Sequence, residues 1–181
     1  ACVLSQRLVS DAVHLTSPDP EGKGMARAVA GVLADAALRP EELGCVVVTA
    51  TGSAVYDRMQ SRALHAAIGE AAARRVPVTT WEGAIGHALA GTGILGLVFA
   101  ASTLRRGEVL PVASAGRHDP ECRLRYVLDE PLALASPSVL LIEANERSKT
   151  LDRFSSYMEH LIARSVRRNH NQCGHSDQML V

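Results

Sequence analysis

The chain has 181 residues, 47% hydrophobic and only 3% aromatic, enough for one domain whose core must be built from Ala, Val and Leu. Nineteen Lys and Arg balance 19 Asp and Glu, and a formal net charge of +0 gives no electrostatic case for nucleic acid or an anionic membrane. No apolar run reaches the roughly 18–20 residues that a membrane-spanning helix needs.

The first ordered feature is Asp11-Ala-Val-His-Leu-Thr-Ser-Pro-Asp-Pro-Glu-Gly-Lys-Gly-Met. Pro18 and Pro20 bar helix before residue 20 and favour extended or turn backbone. Asp19 and Glu21 place negative charge where a helix N-terminus favours it. From Met25, the apolar positions Val29, Val32, Leu33 and Ala36 follow helical spacing and predict a helix to about Leu38. Arg39-Pro-Glu-Glu42 breaks it, and Val46-Val-Val48 reads as a buried strand within residues 45–49. A Gly/Ser turn at Thr51-Gly-Ser53 leads to a helix over about 57–74, with Leu64, Ala67, Ile68 and Ala71 on one face. Val76-Pro-Val-Thr79 is a short strand. A glycine-rich stretch, 83–93, enters an apolar helix over 94–104. Arg105-Arg106 and Gly107 suit that helix's C-terminus. Residues 109–112, 124–127 and 138–142 are the remaining extended candidates. Strands separated by helices of this length predict an α/β layer fold.

From residue 143 the character changes. Residues 143–181 are polar and rich in Arg, Ser, Asn and His. An amphipathic helix is expected around 151–166, where Phe154, Met158, Leu161 and Ile162 share a face, and disorder from Arg167. The chain therefore divides into a domain over 1–142 and a divergent extension over 143–181. Cys173 with His170 and His175 makes three loose groups in a polar tail, which is no metal site. Gly91 and Gly93 fit no nucleotide fingerprint and read as helix–sheet packing. No cofactor is expected. The four cysteines, Cys2, Cys45, Cys122 and Cys173, form no C-x-x-C pair, and no basic-then-apolar leader opens at Ala1. The expectation is a reduced, cytoplasmic protein.

The stretch from Asp11 to Gly22 resembles the pattern D-A-x-H-x-T-x-P-D-P-x-G of the β-ketoacyl synthases of fatty-acid and polyketide assembly, where it opens the C-terminal half. Leu104-Arg-Arg-Gly-Glu-Val-Leu-Pro111 resembles that family's L-R-x-G-x-I-P-P. Asp119-Pro-Glu-Cys122, with Leu124 and Tyr126, resembles D-P-E-C-x-L-x-Y. The similarity runs from about Asp11 to Ile142. It implies a thiolase-like half-domain: a mixed sheet of about five strands covered by helices.

The resemblance also implies chemistry. The family joins an acyl chain to a malonyl carrier protein by decarboxylative condensation. A cysteine of the N-terminal half is acylated, and two histidines of the C-terminal half stabilise oxyanions. Only the C-terminal half is represented here, so no cysteine takes the nucleophile's place. Cys45 and Cys122 read as small buried side chains. The first histidine lies in H-G-T-G-T, eight residues before an aspartate. Counting back from Asp57 puts Thr49 in its place. A hydroxyl donates one hydrogen bond and does not titrate near neutrality. The second histidine lies in K-x-x-x-G-H. Gly86-His87 matches it, but Glu82 replaces the lysine, and Gly96 replaces the acidic residue nine positions after the histidine. The glycine-rich loop expected after Ile142 reads Glu143-Ala-Asn-Glu-Arg-Ser148.

His87 and Thr49 are thus the candidate site residues, with His14 and Asp119-Pro-Glu121 assigned to scaffold. The altered first-histidine position, with Gly52 kept five residues before Asp57, resembles the chain-length factors, silent partners of type II polyketide synthases. Retention of His87 points the other way. Three readings stay open. One is a non-catalytic component that supports condensation. The second is an active half using His87 with a partner's cysteine. The third is a degenerate binding module. The expected partners are a ketosynthase subunit or N-terminal half and an acyl carrier protein.

Overall fold

A computed structural model describes residues 1–14, 17–113, 119–142 and 179–180. The helix expected around 151–166, most of the predicted disordered tail and the stretch after Ile142 lie outside them.

The opening loop is held by its own carboxylates. Asp11 Oδ2 accepts the Asp19 N–H at 3.1 Å. Asp19 in turn accepts the N–H of Glu21 (3.0 Å) and of Lys23 (3.1 Å). Asp19 thereby satisfies an orphan donor at the start of helix α1, Lys23–Asp35, whose own N-cap, Gly22, has no side chain to offer. A Cβ on Gly24 would stand 1.9 Å from Asp11 Oδ1, so only glycine lets that carboxylate lie over the helix end. Helix α1 ends three residues earlier than its periodicity predicts. A single 3₁₀ turn, Pro40–Glu42, follows, where the Arg39 N–H donates to Glu42 Oε2 at 2.8 Å.

Strand β2, Cys45–Val48, is buried along its whole length and pairs in parallel with β3, Pro77–Thr79, and with β7, Ser138–Ile142. Its two faces feed two separate cores, as strand alternation requires. Val46 and Val48 join Val78, Leu140 and Ile142 against α1, α2 (Ala54–Ile68) and α3 (Glu70–Arg75). Cys45 and Val47 join Val139, Trp81, Ala100 and Leu104 on the other side. Helices on both faces explain the unbroken apolar run Cys45–Val48. The helix predicted over 57–74 is two helices, because Gly69 adopts φ +81° and breaks it.

Beyond β3 come a single turn, α4 (Glu82–Ile85), and the long helix α5 (Thr92–Arg106), which ends at Gly107 as its sequence predicts. Two short strands, β4 (Glu108–Val109) and β6 (Leu132–Ala133), pair antiparallel as a separate ribbon. Strand β5 is Arg125–Tyr126.

The α/β expectation holds, with differences in the sheet. Among the described residues the main sheet has six strands, with β1 at Cys2–Val3 and β8 at Met179–Leu180, in the order β1-β8-β7-β2-β3-β5, and every neighbouring pair is parallel. The expected antiparallel component is the detached β4–β6 ribbon. Four of the five expected strands lie in this sheet and the fifth, expected at 109–112, falls in the ribbon; β1 and β8 complete the six, two residues each and too short to carry a periodicity.

Candidate functional site

The candidate residues follow the ends of two neighbouring strands, β2 and β3. The carboxyl edge of a parallel sheet is where ligands bind in α/β folds. Thr49 follows β2 directly and is buried. Its hydroxyl donates to the Ile142 carbonyl at 3.3 Å, its N–H donates to the same oxygen at 3.2 Å, and its carbonyl accepts from Gln60 Nε2. The side chain is engaged with backbone and ties the ends of β2 and β7 together.

Asp57 lies in the first turn of α2. One carboxylate oxygen, Oδ1, is buried without a hydrogen-bond partner. Burial, reinforced by the negative charges of Glu82 and Asp119, raises its pKa to about 6. The helix dipole at this end favours the charged form by only about 0.3–1 kcal/mol, so desolvation wins.

Past β3 the chain turns through Thr80 and Trp81. The Glu82 N–H donates to Thr80 Oγ1 at 3.3 Å. Glu82 is 4% exposed, and Gly86 caps the single turn that follows, its N–H on the Glu82 carbonyl at 2.7 Å. Gly86 has φ +81° and ψ 172°, a region open essentially to glycine alone. That reversal carries His87 back over the turn. His87 Nδ1 stands 2.6 Å from Glu82 Oε1. The histidine side chain is 30% exposed and the glutamate's 2%, so the pair runs from the interior toward solvent. Glu82 Oε2 is buried and unpartnered. The pairing was not legible in the sequence, where Glu82 registers only as a reversed charge. The spacing of five residues across a glycine was the available signal.

The structure gives Gly96 a packing reason. A Cβ there would approach Leu141 Cδ1 to 2.9 Å and Trp81 Nε1 to 3.4 Å. The indole and the leucine occupy the room a longer side chain would take.

The remaining candidates separate from this cluster. His14 lies on the opening loop, its Nδ1 accepting the Ser17 N–H at 3.2 Å. Asp119-Pro-Glu121 forms a turn, the Cys122 N–H on the Asp119 carbonyl at 3.0 Å. Arg58 clamps the turn through Asp119 (2.7 Å) and Glu121 (3.3 Å). Arg62 extends the network to Glu121 (3.6 Å), Glu21 (3.3 Å) and the Pro20 carbonyl (3.1 Å). Two of the matched motifs are therefore bolted together by one helix. Cys45 and Cys122 are buried, and burial lifts their thiols to about 12 and about 11, which leaves neither a ready nucleophile. Among the described residues no cluster of three His, Cys, Asp or Glu is arranged to hold a metal. No described helix is long and apolar enough to cross a membrane.

Comparison with known proteins agrees with this architecture. Residues 1–115 match the family described as Beta-ketoacyl synthase, C-terminal domain. The chain is 32% identical over 127 residues to 3-oxoacyl-[acyl-carrier-protein] synthase 2 of Synechocystis sp., covering 70% of this chain and 30% of that protein. Among solved structures it is similar to the ishigamide ketosynthase/chain length factor, with TM-score 0.67, 25% identity, and 74% of this chain and 32% of that chain covered. A type II polyketide synthase acyl-carrier protein in complex with its ketosynthase bound to the hexaketide gives TM-score 0.65 and 26% identity, covering 69% of this chain and 30% of that chain. The chain belongs to the β-ketoacyl synthase family and represents its C-terminal domain, with the thiolase-like α/β fold. It spans about 30% of the length of the relatives it matches.

Proposed function

We propose that this chain is a chain-length-factor-like component that supports decarboxylative condensation of acyl and malonyl carrier-protein thioesters without supplying a nucleophile. The observation that carries the reading is the state of the catalytic positions within a retained scaffold. Thr49, in the first histidine's place, spends both its hydroxyl and its N–H on the Ile142 carbonyl, and the cysteines near the core are buried. The chain works in the cytoplasm as one side of a heterodimer with a ketosynthase subunit or an N-terminal ketosynthase half, and an acyl carrier protein delivers the substrate. Residues 1–142 form the domain proper and 143–181 a divergent extension.

The outer surface of α5 supports the heterodimer. Thr92, Gly96, Ala100 and Leu104 face the sheet and are buried, while Leu95 and Val98 on the outward side are 36% and 61% exposed. Ile85 and Leu89, from the turn before it, are exposed as well. A helix that is apolar all round is ordinarily buried. Relatives more than twice as long carry further chain that can cover such a surface.

Retention of His87 favours one other reading, an active half working with a partner's cysteine. Co-expression with a cysteine-bearing ketosynthase subunit, followed by a malonyl-carrier decarboxylation assay, separates the two. Activity that depends on the chain and survives His87→Ala is the expected result. Loss of activity in His87→Ala selects the active half. Failure to associate with any ketosynthase subunit or carrier protein removes both and leaves a degenerate binding module.

A further inference from the structure

The Glu82–His87 contact has a chemical consequence beyond the loss of the lysine. A carboxylate accepts hydrogen bonds and cannot donate them. With the carboxylate as acceptor, the His87 Nδ1–H is the donor in the 2.6 Å contact with Glu82 Oε1.

We infer that Glu82 is a positioning residue that fixes His87 in its Nδ1–H tautomer, so that the neutral ring presents Nε2 as a hydrogen-bond acceptor. Three features act together. The carboxylate is 4% exposed and confined to the first residue of a single turn. The backbone reversal at Gly86 brings the ring back onto it. Its second oxygen, Oε2, is buried without a partner, so the histidine is the hydrogen-bond donor this carboxylate has for offsetting its desolvation. The partner of an imidazole nitrogen decides which nitrogen carries the proton.

A ring held this way accepts from an O–H or N–H group of a bound molecule. In its neutral form it does not donate to an oxyanion. A lysine at position 82 has only donors and leaves Nδ1 as the acceptor, with Nε2 carrying the proton. The reversed charge thus exchanges the roles of the two ring nitrogens. This functional consequence rests on the ketosynthase-partner reading; the tautomer itself does not.

The test is nitrogen NMR on the ¹⁵N-histidine-labelled full chain, following His87, assigned by its loss in His87→Gln, until the imidazole is deprotonated. The expected neutral ring has an amine-type Nδ1 and a pyridine-type Nε2. In Glu82→Lys the two assignments exchange, while in Glu82→Gln, whose amide oxygen still accepts, the wild-type pattern persists. A neutral wild-type ring with its proton on Nε2 overturns the inference, and that measurement needs no variant to fold. A wild-type pattern retained in folded Glu82→Lys overturns it too. The decarboxylation assay on the co-expressed complex reads the functional proposal separately: association can fail while the tautomer stands, and the reverse.

Discussion

Asp57 shows how one residue's position overrides its local preference. It sits in the first turn of α2, where a negative charge is favoured, yet burial and two neighbouring carboxylates raise its pKa to about 6. An acid whose folded pKa lies above its unfolded value near 3.8 binds more protons in the folded state between those values. Stability therefore falls as pH rises from about 4 to about 6, and levels off above. The half-buried position makes the loss on the order of 1–2 kcal/mol after solvent screening. Asp57→Asn is expected to be more stable than the parent at neutral pH by about that amount, and no more stable at pH near 4. Urea unfolding of both proteins across that range checks it; parallel curves would remove Asp57 as the source. The sequence marks Asp57 only as a counting point for Thr49. Its charge state depends on burial first and then on Glu82 and Asp119, 25 and 62 positions away along the chain.

At the scale of elements, the alternation along β2 and β7 divides the interior in two. Val46, Leu140 and Ile142 pack under α1 and α2; Cys45, Val47 and Val139 pack under α5. Leu140 is 1% exposed at the centre of the first core. Leu140→Ala is expected to cost about 2–5 kcal/mol, as large-to-small changes at buried leucines do. The exposed Leu128→Ala, at 44% exposure, is expected to cost well under 1 kcal/mol. Thermal or chemical unfolding of the two variants checks the ranking, and equal costs would contradict the core assignment. Most of this layer was legible in sequence. Apolar spacing located α1, β2, β3, α5 and β7, because buried elements carry their period in their side chains. The break at Gly69 was not legible, because glycine at a helix centre signals a cost without stating whether the chain bends or continues. Strands β1 and β8 were not legible either, since two residues make no pattern and sheet pairing supplies their shape.

At the scale of the whole molecule, α5 has two apolar sides, of which the described residues cover one. The buried side of α5 follows Thr92, Gly96, Ala100 and Leu104; the uncovered side includes Val98. Val98→Lys is expected to leave unfolding stability within about 0.5 kcal/mol, because an exposed substitution removes no internal packing. The same change is expected to weaken association with a ketosynthase subunit at least tenfold, by placing an unpaired charge in the proposed contact. Analytical ultracentrifugation of the mixed proteins reads it; unchanged association would move the contact off α5. The family was legible in sequence because its motifs are scaffold. Asp11 accepts from Asp19 and lies against Gly24 in a helix entry, and Asp119 and Glu121 are clamped by Arg58 and Arg62, so each residue is required by a nearby partner. The sequence by itself determined the α/β class and the main helices and strands, and its resemblance to the family singled out Thr49, Glu82 and Gly96. Tertiary structure alone decided what those residues touch. Thr49 turns to a carbonyl 93 positions away, Gly96 yields its space to Trp81 and Leu141, and Glu82 finds His87 across a glycine reversal. The physical reason is one of range. Periodicity and capping are short-range and written in neighbouring residues, whereas desolvation, steric room and ring protonation are set by whatever the fold brings alongside.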